Sequence, residues 1–394
     1  MLKGKTVVLG VTGSIAAYKI ANLARMLVKQ HCEVHVLMTQ NATNFINPIT
    51  FETLTKHKCL IDTFDRNFEF SVEHVALAKE ADVVMIAPAS ANVIGKIANG
   101  IADDMLTTTV MACPCKKIVS PAMNHNMFHN PIVQDNIEKL KHYGYEIVEP
   151  AHGMLANGDM GDGRMPDEEL LFEYIVKEIA FEKDMTGKKV LVTAGATVEA
   201  IDPVRFITNH SSGKMGFALA KNAMLRGADV TLVMGKCDSE PPVFVNTVKV
   251  QSAKDMYDAV IERADSMDII VKAAAVADYR PKNVSSEKVK KQDGNMSIEL
   301  ERTDDILKTL GERKNGQFIC GFSMETENML ENSKKKLEKK NCDMIVANNL
   351  KQDGAGFGGN TNIVTLITKD DEVQLEKMTK DEVAEKIFDF ILSR

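Results

Sequence analysis

The chain opens twice in the same way, and this repetition limits the folds open to it more than any other feature. Gly4-Lys-Thr-Val-Val-Leu-Gly-Val-Thr-Gly13 is echoed by Gly187-Lys-Lys-Val-Leu-Val-Thr-Ala-Gly195. Each is a short β-rich run ending in a glycine-bearing turn, the usual first step of a parallel-sheet domain. After the first opening, residues 14–30 place Ala16, Ile20, Leu23 and Leu27 on one helical face. Strands are predicted at 33–39, 82–86, 117–120 and 145–148, and a helix carrying Leu170, Leu171, Tyr174 and Ile175 closes the unit. After the second opening, strands are predicted at 190–193, 229–234, 268–273, 317–322, 344–347 and 363–367. Helices alternate with them at 216–226, 253–264, 305–312, 327–340 and 380–392. The fold class is therefore α/β: two tandem doubly wound, mostly parallel-sheet domains, over 1–183 and 187–394. They are divided at the charged, aperiodic stretch 181–186.

Bulk properties remove several function classes. A net charge of -7 argues against a nucleic-acid partner. No apolar run approaches the roughly 20 residues that span a bilayer, and the N-terminal run breaks at Gly13 without a cleavage-site pattern. Seven cysteines in no regular framework suit a reducing compartment, so a cytoplasmic protein without membrane partners is expected. Cys113-Pro-Cys115 lacks the second pair that a zinc site needs.

Chemistry is concentrated where strands end. Ala87-Pro-Ala-Ser-Ala-Asn92 and Pro121-Ala-Met-Asn-His-Asn-Met127 follow neighbouring predicted strands. Ligands of open α/β sheets bind outside the carboxyl ends of the strands. Segments of Ser, Asn, Ala and Pro there suit a flat, polar-edged cofactor better than a metal. Gly10-Val-Thr-Gly-Ser-Ile15 joins a strand to a helix and reads either as a phosphate-binding turn or as a plain βα turn. Lacking Gly-x-Gly-x-x-Gly, it favours a mononucleotide. Taken with Val72-Glu-His-Val75 and Gly95-Lys-Ile-Ala-Asn-Gly-Ile-Ala-Asp-Asp-Met-Leu106, these motifs resemble the FMN-dependent cysteine decarboxylase family, which includes phosphopantothenoylcysteine decarboxylase. The resemblance covers essentially all of residues 1–180 and implies a flavodoxin- or Rossmann-like FMN domain.

The resemblance implies a definite chemistry. A cysteine amide does not lose its carboxylate readily, because the carbanion left behind has no sink. Transient oxidation of the thiol by FMN gives a thioaldehyde that accepts the electrons as carbon dioxide leaves. It further implies that His74 is the catalytic histidine, poised for proton transfer near neutral pH, and that Asn124 holds the substrate carboxylate. Gly13, Ser14, Thr39, Ser90 and Asn92 are implied to contact FMN. Leu155-Ala-Asn-Gly-Asp-Met-Gly-Asp-Gly-Arg-Met165 resembles the family's substrate clamp, with Asn157 where most members carry a proton-donating cysteine. An amide is a very weak acid. Either Asn157 positions a water or the substrate, or another acid serves, or the reaction stops at the ene-thiol. His125 and His129 have the i, i+4 spacing of a metal pair. With no third ligand near them in sequence and Pro131 interrupting, they are read as non-metal.

In the second unit Thr193-Ala-Gly-Ala-Thr-Val-Glu199 and Ile201-Asp-Pro-Val-Arg-Phe-Ile-Thr-Asn-His-Ser-Ser-Gly-Lys-Met-Gly216 make a long, polar βα connection. A short-chain dehydrogenase is disfavoured, since no Tyr-x-x-x-Lys pair follows on a later helix. Asn209–Gly216, Ala273-Ala-Ala-Val-Ala-Asp-Tyr-Arg280, Lys288-Val-Lys-Lys291, Gly321-Phe-Ser-Met-Glu-Thr326 and Ala347-Asn-Asn349 resemble phosphopantothenate–cysteine ligase, over nearly all of 187–394. Bacterial bifunctional enzymes of coenzyme A biosynthesis carry these two activities in this order. The resemblance implies attack of the phosphopantothenate carboxylate on the α-phosphate of CTP, then capture of the acyl-cytidylate by the cysteine amine. Asn209 is implied to stabilise the acyl-cytidylate and Lys288 to bind the triphosphate. Ala274, Asp278, Phe322, Lys336 and Lys340 match nucleotide-site positions. Asp278 is open to a second role, holding the Mg²⁺ that a triphosphate needs. Without the resemblance, 334–340 reads as a solvated lysine-rich helix face. Gly354-Ala-Gly-Phe-Gly-Gly359 lacks the Lys-Ser/Thr of a P-loop and reads as a flexible turn.

The partners expected are thus small molecules, 4'-phosphopantothenate, cysteine and CTP. The resemblance also implies a homo-oligomer with trimeric decarboxylase and dimeric ligase contacts, combining into a dodecamer. Two other readings stand beside the bifunctional enzyme. One is an active ligase with a decarboxylase altered at Asn157, and the other is a flavin-binding regulatory subunit.

Overall fold

The computed structural model describes residues 2–63, 73–155, 158–290, 296–325, 329–349 and 359–394, with backbone only at 73, 74, 325 and 349. The chain divides into two compact units, Met1–Phe181 and Glu182–Arg394.

In the first unit β1 (Thr6–Val11) leads through a 3-10 turn, Ile15–Tyr18, into α1 (Lys19–Lys29). The helix predicted over 14–30 therefore begins as a tighter turn, because extended Ser14 caps the first amides. The elements that follow are β2 (Glu33–Met38), α2 (Pro48–Thr55), α3 (Glu73–Glu80), β3 (Val83–Ala89), α4 (Ala91–Ala98) and α5 (Met105–Ala112). Then come β4 (Lys116–Pro121), α6 (His125–Phe128), α7 (Pro131–His142) and β5 (Glu146–Ile147). A hairpin of β6 (Ala151–Met154) and β7 (Met160–Arg164) precedes α8 (Glu168–Ile179). The sheet order is β2-β1-β3-β4-β5, all parallel. This is the flavodoxin-like order, whose direction of winding reverses between β1 and β3. The central β3 is buried at every position, as a strand covered on both faces must be. On α1, Ile20, Leu23, Ala24 and Leu27 form the buried stripe that the spacing predicts.

The second unit begins with β8 (Lys189–Ala194), the small hairpin β9 (Val198–Ala200) and β10 (Phe206–Thr208), and α9 (Lys214–Leu225). It continues with β11 (Asp229–Met234), β12 (Asn246–Lys249), α10 (Ala253–Ala264) and β13 (Ile269–Lys272). Next are the hairpin β14 (Tyr279–Pro281) and β15 (Leu300–Arg302), α11 (Ile306–Arg313), β16 (Phe318–Glu325), α12 (Met329–Lys339) and β17 (Met344–Asn349). The chain ends with β18 (Thr361–Asn362), β19 (Val364–Ile367), β20 (Glu372–Gln374), β21 (Met378–Thr379) and α13 (Lys380–Leu392). The main sheet runs β12-β11-β8-β13-β16-β17-β19-β20. Its first six strands are parallel in Rossmann order, and β19 and β20 add an antiparallel edge. Winding reverses between β8 and β13, which sets the second crevice. Capping boxes start α10 (Ser252 with Asp255) and α13 (Thr379 with Glu382), and both helices run over the predicted residues.

Candidate active sites

Each sheet carries a cavity at the carboxyl ends of the strands flanking its switch point. In the first unit Thr12 follows β1 and Ser90 follows β3, and the two strand ends are tied together. Thr12 Oγ1 donates to the Pro88 carbonyl at 2.6 Å and accepts the Ser90 amide at 2.9 Å. Gly13 has no room for a side chain, since a Cβ there would lie 2.8 Å from Asn41 Cβ. The cavity beside them has a volume of about 550 Å³. Gly13, Ser14, Ser90 and Asn124 give its polar edge, and Ile15, Met123, Met127, Met154, Leu155 and Met165 its apolar walls.

Asn124 is the N-cap of α6, and its Oδ1 accepts the Asn126 amide at 2.9 Å. With the oxygen so engaged, Nδ2 is the group left to donate, which suits a ligand carboxylate. The opposite wall is the β6–β7 hairpin, docked by main chain: the Met123 amide donates to the Gly163 carbonyl at 3.0 Å. Gly163 has φ +118, and a Cβ there would stand 2.3 Å from the Met123 carbonyl oxygen, so only glycine permits this docking.

The other residues expected in this site lie elsewhere. Thr39 follows β2 and caps the 3-10 turn 40–44, its Oγ1 accepting the Ala42 amide at 3.3 Å, and it does not line the cavity. Asn92 is exposed in the first turn of α4 and is also outside the lining. His74 falls on α3 with its side chain outside the described residues, as does all of Asn157. His125 and His129, read from sequence as a non-metal pair without a third ligand nearby, have Asp162 beside them, distant in sequence but brought up by β7.

The second unit has two adjoining cavities around the end of β13, of about 460 and 610 Å³. Lys272, Val276, Asp278 and Lys336 line both. Gly216, in the first turn of α9, faces the end of β8, where a Cβ would meet Ala194 Cβ at 2.5 Å. Its absence lets the helix start close to the strand. Asn209 donates from Nδ2 to the Val276 carbonyl at 3.1 Å, joining the long loop to the segment after β13. Ala274 is buried, its amide held by Thr193 Oγ1 at 3.1 Å. Phe322 lines the smaller cavity, and its carbonyl accepts Lys336 Nζ at 3.0 Å. Lys340 is paired with Asp305, and both line the larger cavity. Asp278 is exposed at the shared edge.

Several functional groups were not found from sequence. Lys272 closes the apolar run of β13, and the smaller cavity also carries Lys214 and Lys380. Burial, and then the nearby Lys336 charge, push Lys272 down to about 8, although Asp305 and Asp278 oppose the shift. Lys272 is half-buried at the cavity wall. The usable signal was a charged residue at the carboxyl end of a central strand. Asn348 Oδ1 is buried beside the smaller cavity without a hydrogen bond among the described residues.

Lys288 is exposed on the segment after β14 and lines neither cavity. The next residue is fixed: Val289 donates its amide to Asp202 Oδ2 at 3.1 Å and accepts Arg205 Nη2 at 2.9 Å. Asp202 is buried and also accepts the Val204 and Arg205 amides, at 2.9 and 2.8 Å. The Arg205 guanidinium and these amides hold its carboxyl well below the usual range. Of the glycine run 354–359, all but Gly359 lies outside the described residues.

Among the described residues no helix is long and apolar enough to cross a membrane. The family model described as Flavoprotein matches residues 1–180, and the one described as DNA/pantothenate metabolism flavoprotein C-terminal domain matches residues 185–394. The chain is 48% identical to the coenzyme A biosynthesis bifunctional protein CoaBC of Bacillus subtilis, over 94% of this chain and 92% of that protein. It is 42% identical to the protein of that description from Vibrio cholerae, over 99% and 98% of the two chains. A crystal structure of the C-terminal domain of a CoaBC protein aligns with 52% of this chain and 95% of its own, at 49% identity and a TM-score of 0.46.

Proposed function

This chain belongs to the family of bifunctional coenzyme A biosynthesis proteins, enzymes with a flavoprotein decarboxylase domain and a ligase domain, and we propose that its two crevices divide those activities. The contrast between the cavities carries the assignment. The second crevice gathers Lys214, Lys272, Lys336 and Lys380, as a polyanion requires, whereas the first is an apolar slot with polar edges.

In the second unit the phosphopantothenate carboxylate attacks the α-phosphate of CTP, and pyrophosphate leaves. The cysteine amine then attacks the acyl carbon, and CMP leaves. Both steps build charge on phosphate and carbonyl oxygens, which fixed ammonium groups stabilise without reorganising. Lys272 and Lys336 face the triphosphate, with Lys288 on its pinned segment as a further cation. Asn209, oriented by the Val276 carbonyl, serves the acyl-cytidylate, and Asn348 Oδ1 takes a substrate donor. Asp278, at the cavity edge, would hold the Mg²⁺ that a triphosphate needs.

In the first unit the slot fits FMN: Gly13, Ser14 and Ser90 at the strand ends would hold its polar side, and Met123, Met154 and Met165 would line the space for its ring. FMN supplies the reversible two-electron oxidation of the substrate thiol. The protein's own part is to hold the substrate carboxylate on Asn124 Nδ2, move a proton through His74, and exclude water with the β6–β7 hairpin. The resemblance further supports trimeric decarboxylase and dimeric ligase contacts within a dodecamer, in the cytoplasm.

The test is mass spectrometry on the products formed by the full chain from phosphopantothenate, cysteine and CTP. Phosphopantetheine is expected. A product lighter by two hydrogens would show that Asn157 leaves the reaction at the ene-thiol. Accumulated phosphopantothenoylcysteine would overturn the decarboxylase assignment, and no product at all would overturn both.

A further inference from the structure

Four side chains converge where the β6–β7 hairpin meets α6. His125 opens α6 and His129 follows its last residue, while His152 stands on β6 and Asp162 on β7. One ring nitrogen of His125, one of His129 and one carboxylate oxygen of Asp162 all lie within 4.8 Å of one another. His129 Nε2 is 2.9 Å from Asp162 Oδ2, and His152 Nδ1 is 2.9 Å from Asp162 Oδ1. The Asp162 amide donates to His125 Nδ1 at 3.1 Å. The chain makes room for that ring: a Cβ on Gly161 would lie 2.7 Å from His125 Nδ1.

We propose that His125, His129 and Asp162 form a divalent-metal site of the zinc class, with His152 holding the second oxygen of the ligating carboxylate. Two imidazoles and one carboxylate are a three-ligand set that zinc accepts, with water in the open position. Without an ion, the close approach of His129 to Asp162 needs a shared proton, and a divalent cation takes the proton's place. His152 then has the outer role usual around such ions, fixing the carboxylate through its other oxygen. The ligands come from two separate pieces of chain, α6 and the hairpin, and both line the first cavity. An ion bound here staples one cavity wall to the other. This site goes beyond the proposed function and does not depend on it, because its readout is metal bound per chain.

The experiment uses the full chain, free of any histidine tag and stripped by chelator dialysis, titrated with Zn²⁺ against a chromophoric competitor. One Zn²⁺ per chain is expected, with micromolar or tighter affinity and a thermal midpoint that rises with added zinc. His129→Ala and Asp162→Asn should each weaken binding by at least about tenfold. Gly161→Ala should weaken it too, by displacing the His125 ring with no ligand removed. Cys115→Ser and His57→Gln, which alter the cysteine pair and a second histidine pair, should leave it unchanged. The proposal fails if the folded wild-type chain takes up no zinc. It also fails if His129→Ala and Asp162→Asn bind as wild type does, or if binding is lost with Cys115→Ser or His57→Gln.

Discussion

Gly216→Ala and Gly95→Ala make one chemical change in two helices, and the structure assigns them opposite effects on stability. In an unstrained helix interior, replacing Gly by Ala stabilises by about 1 kcal/mol, mainly through backbone entropy. Gly95, in α4, has this benefit available, because a Cβ there meets only Asn136 Nδ2, at 3.7 Å. At Gly216 the new methyl would stand 2.5 Å from Ala194 Cβ and 2.9 Å from both Ala194 Cα and the Thr193 carbonyl oxygen. Carbon pairs settle at roughly 3.5–4.0 Å. The neighbours belong to the central strand β8, which has no rotamer to change, so α9 must shift by about 1 Å. Overpacking of this kind costs roughly 1–3 kcal/mol, and against a backbone the upper half of that range applies. After the helical gain, Gly216→Ala loses about 1–2 kcal/mol, or some 3–6 °C for a unit of this size, whereas Gly95→Ala gains about 2–4 °C. Differential scanning calorimetry on the full chain would resolve the unit affected. Ligation should fall with Gly216→Ala, because the first turn of α9 lines the basic cavity, while decarboxylation of supplied phosphopantothenoylcysteine should not. A Gly216→Ala chain as stable as wild type would refute the close-packing argument, and so would a destabilised Gly95→Ala.

Four further outcomes follow from the site. His74→Asn should abolish decarboxylation and spare ligation, and Lys288→Gln should do the reverse; loss of both activities in either folded variant would deny two separate sites. Lys272→Met should raise the KM for CTP by about tenfold or more, a loss of roughly 1.4 kcal/mol or more in binding, measured by initial rates at pH 7. Lys272 also has a pH signature. Below about 8 it is charged folded and unfolded, and the cost of burying the ammonium is borne in full. Between about 8 and the ordinary lysine range the folded chain has already lost the proton, so the burden lightens as pH rises. The gain in stability of Lys272→Met over wild type should thus be largest at neutral pH and shrink toward pH 10, as urea unfolding would show. Asp202→Asn should raise the KM for CTP and flatten the acid limb of the second unit's stability, because a depressed carboxyl stabilises at neutral pH and ceases to do so as pH falls through the carboxylate range.

The sequence exposed what repeats along it and hid what converges across it. Strands such as β11 and helices such as α10 and α13 ended where period and capping residues said they would. Their boundaries are set locally. The short hairpins β6–β7, β9–β10 and β14–β15 have no such period, and each pairs as a two-stranded sheet apart from the main ones. The 3-10 start of the first helix and the antiparallel β19 were missed for similar reasons, since capping geometry and strand direction leave little imprint on hydrophobic spacing. Site residues divide in the same way. Gly13, Ser14, Ser90 and Asn124 follow directly on strands, so topology gathered them. Lys272 was masked by the apolar run it ends, and Asp162 lies 33 residues from His129.

The wall of the first cavity is attached through peptide groups, at Met123 and Gly163, and through Asp162, which meets His125 and His129. The main-chain part of this anchorage is indifferent to composition. Provided the glycine is kept, the hairpin can exchange one reactive group for another without losing its seat, so the chemistry at this edge can drift while the architecture stands still.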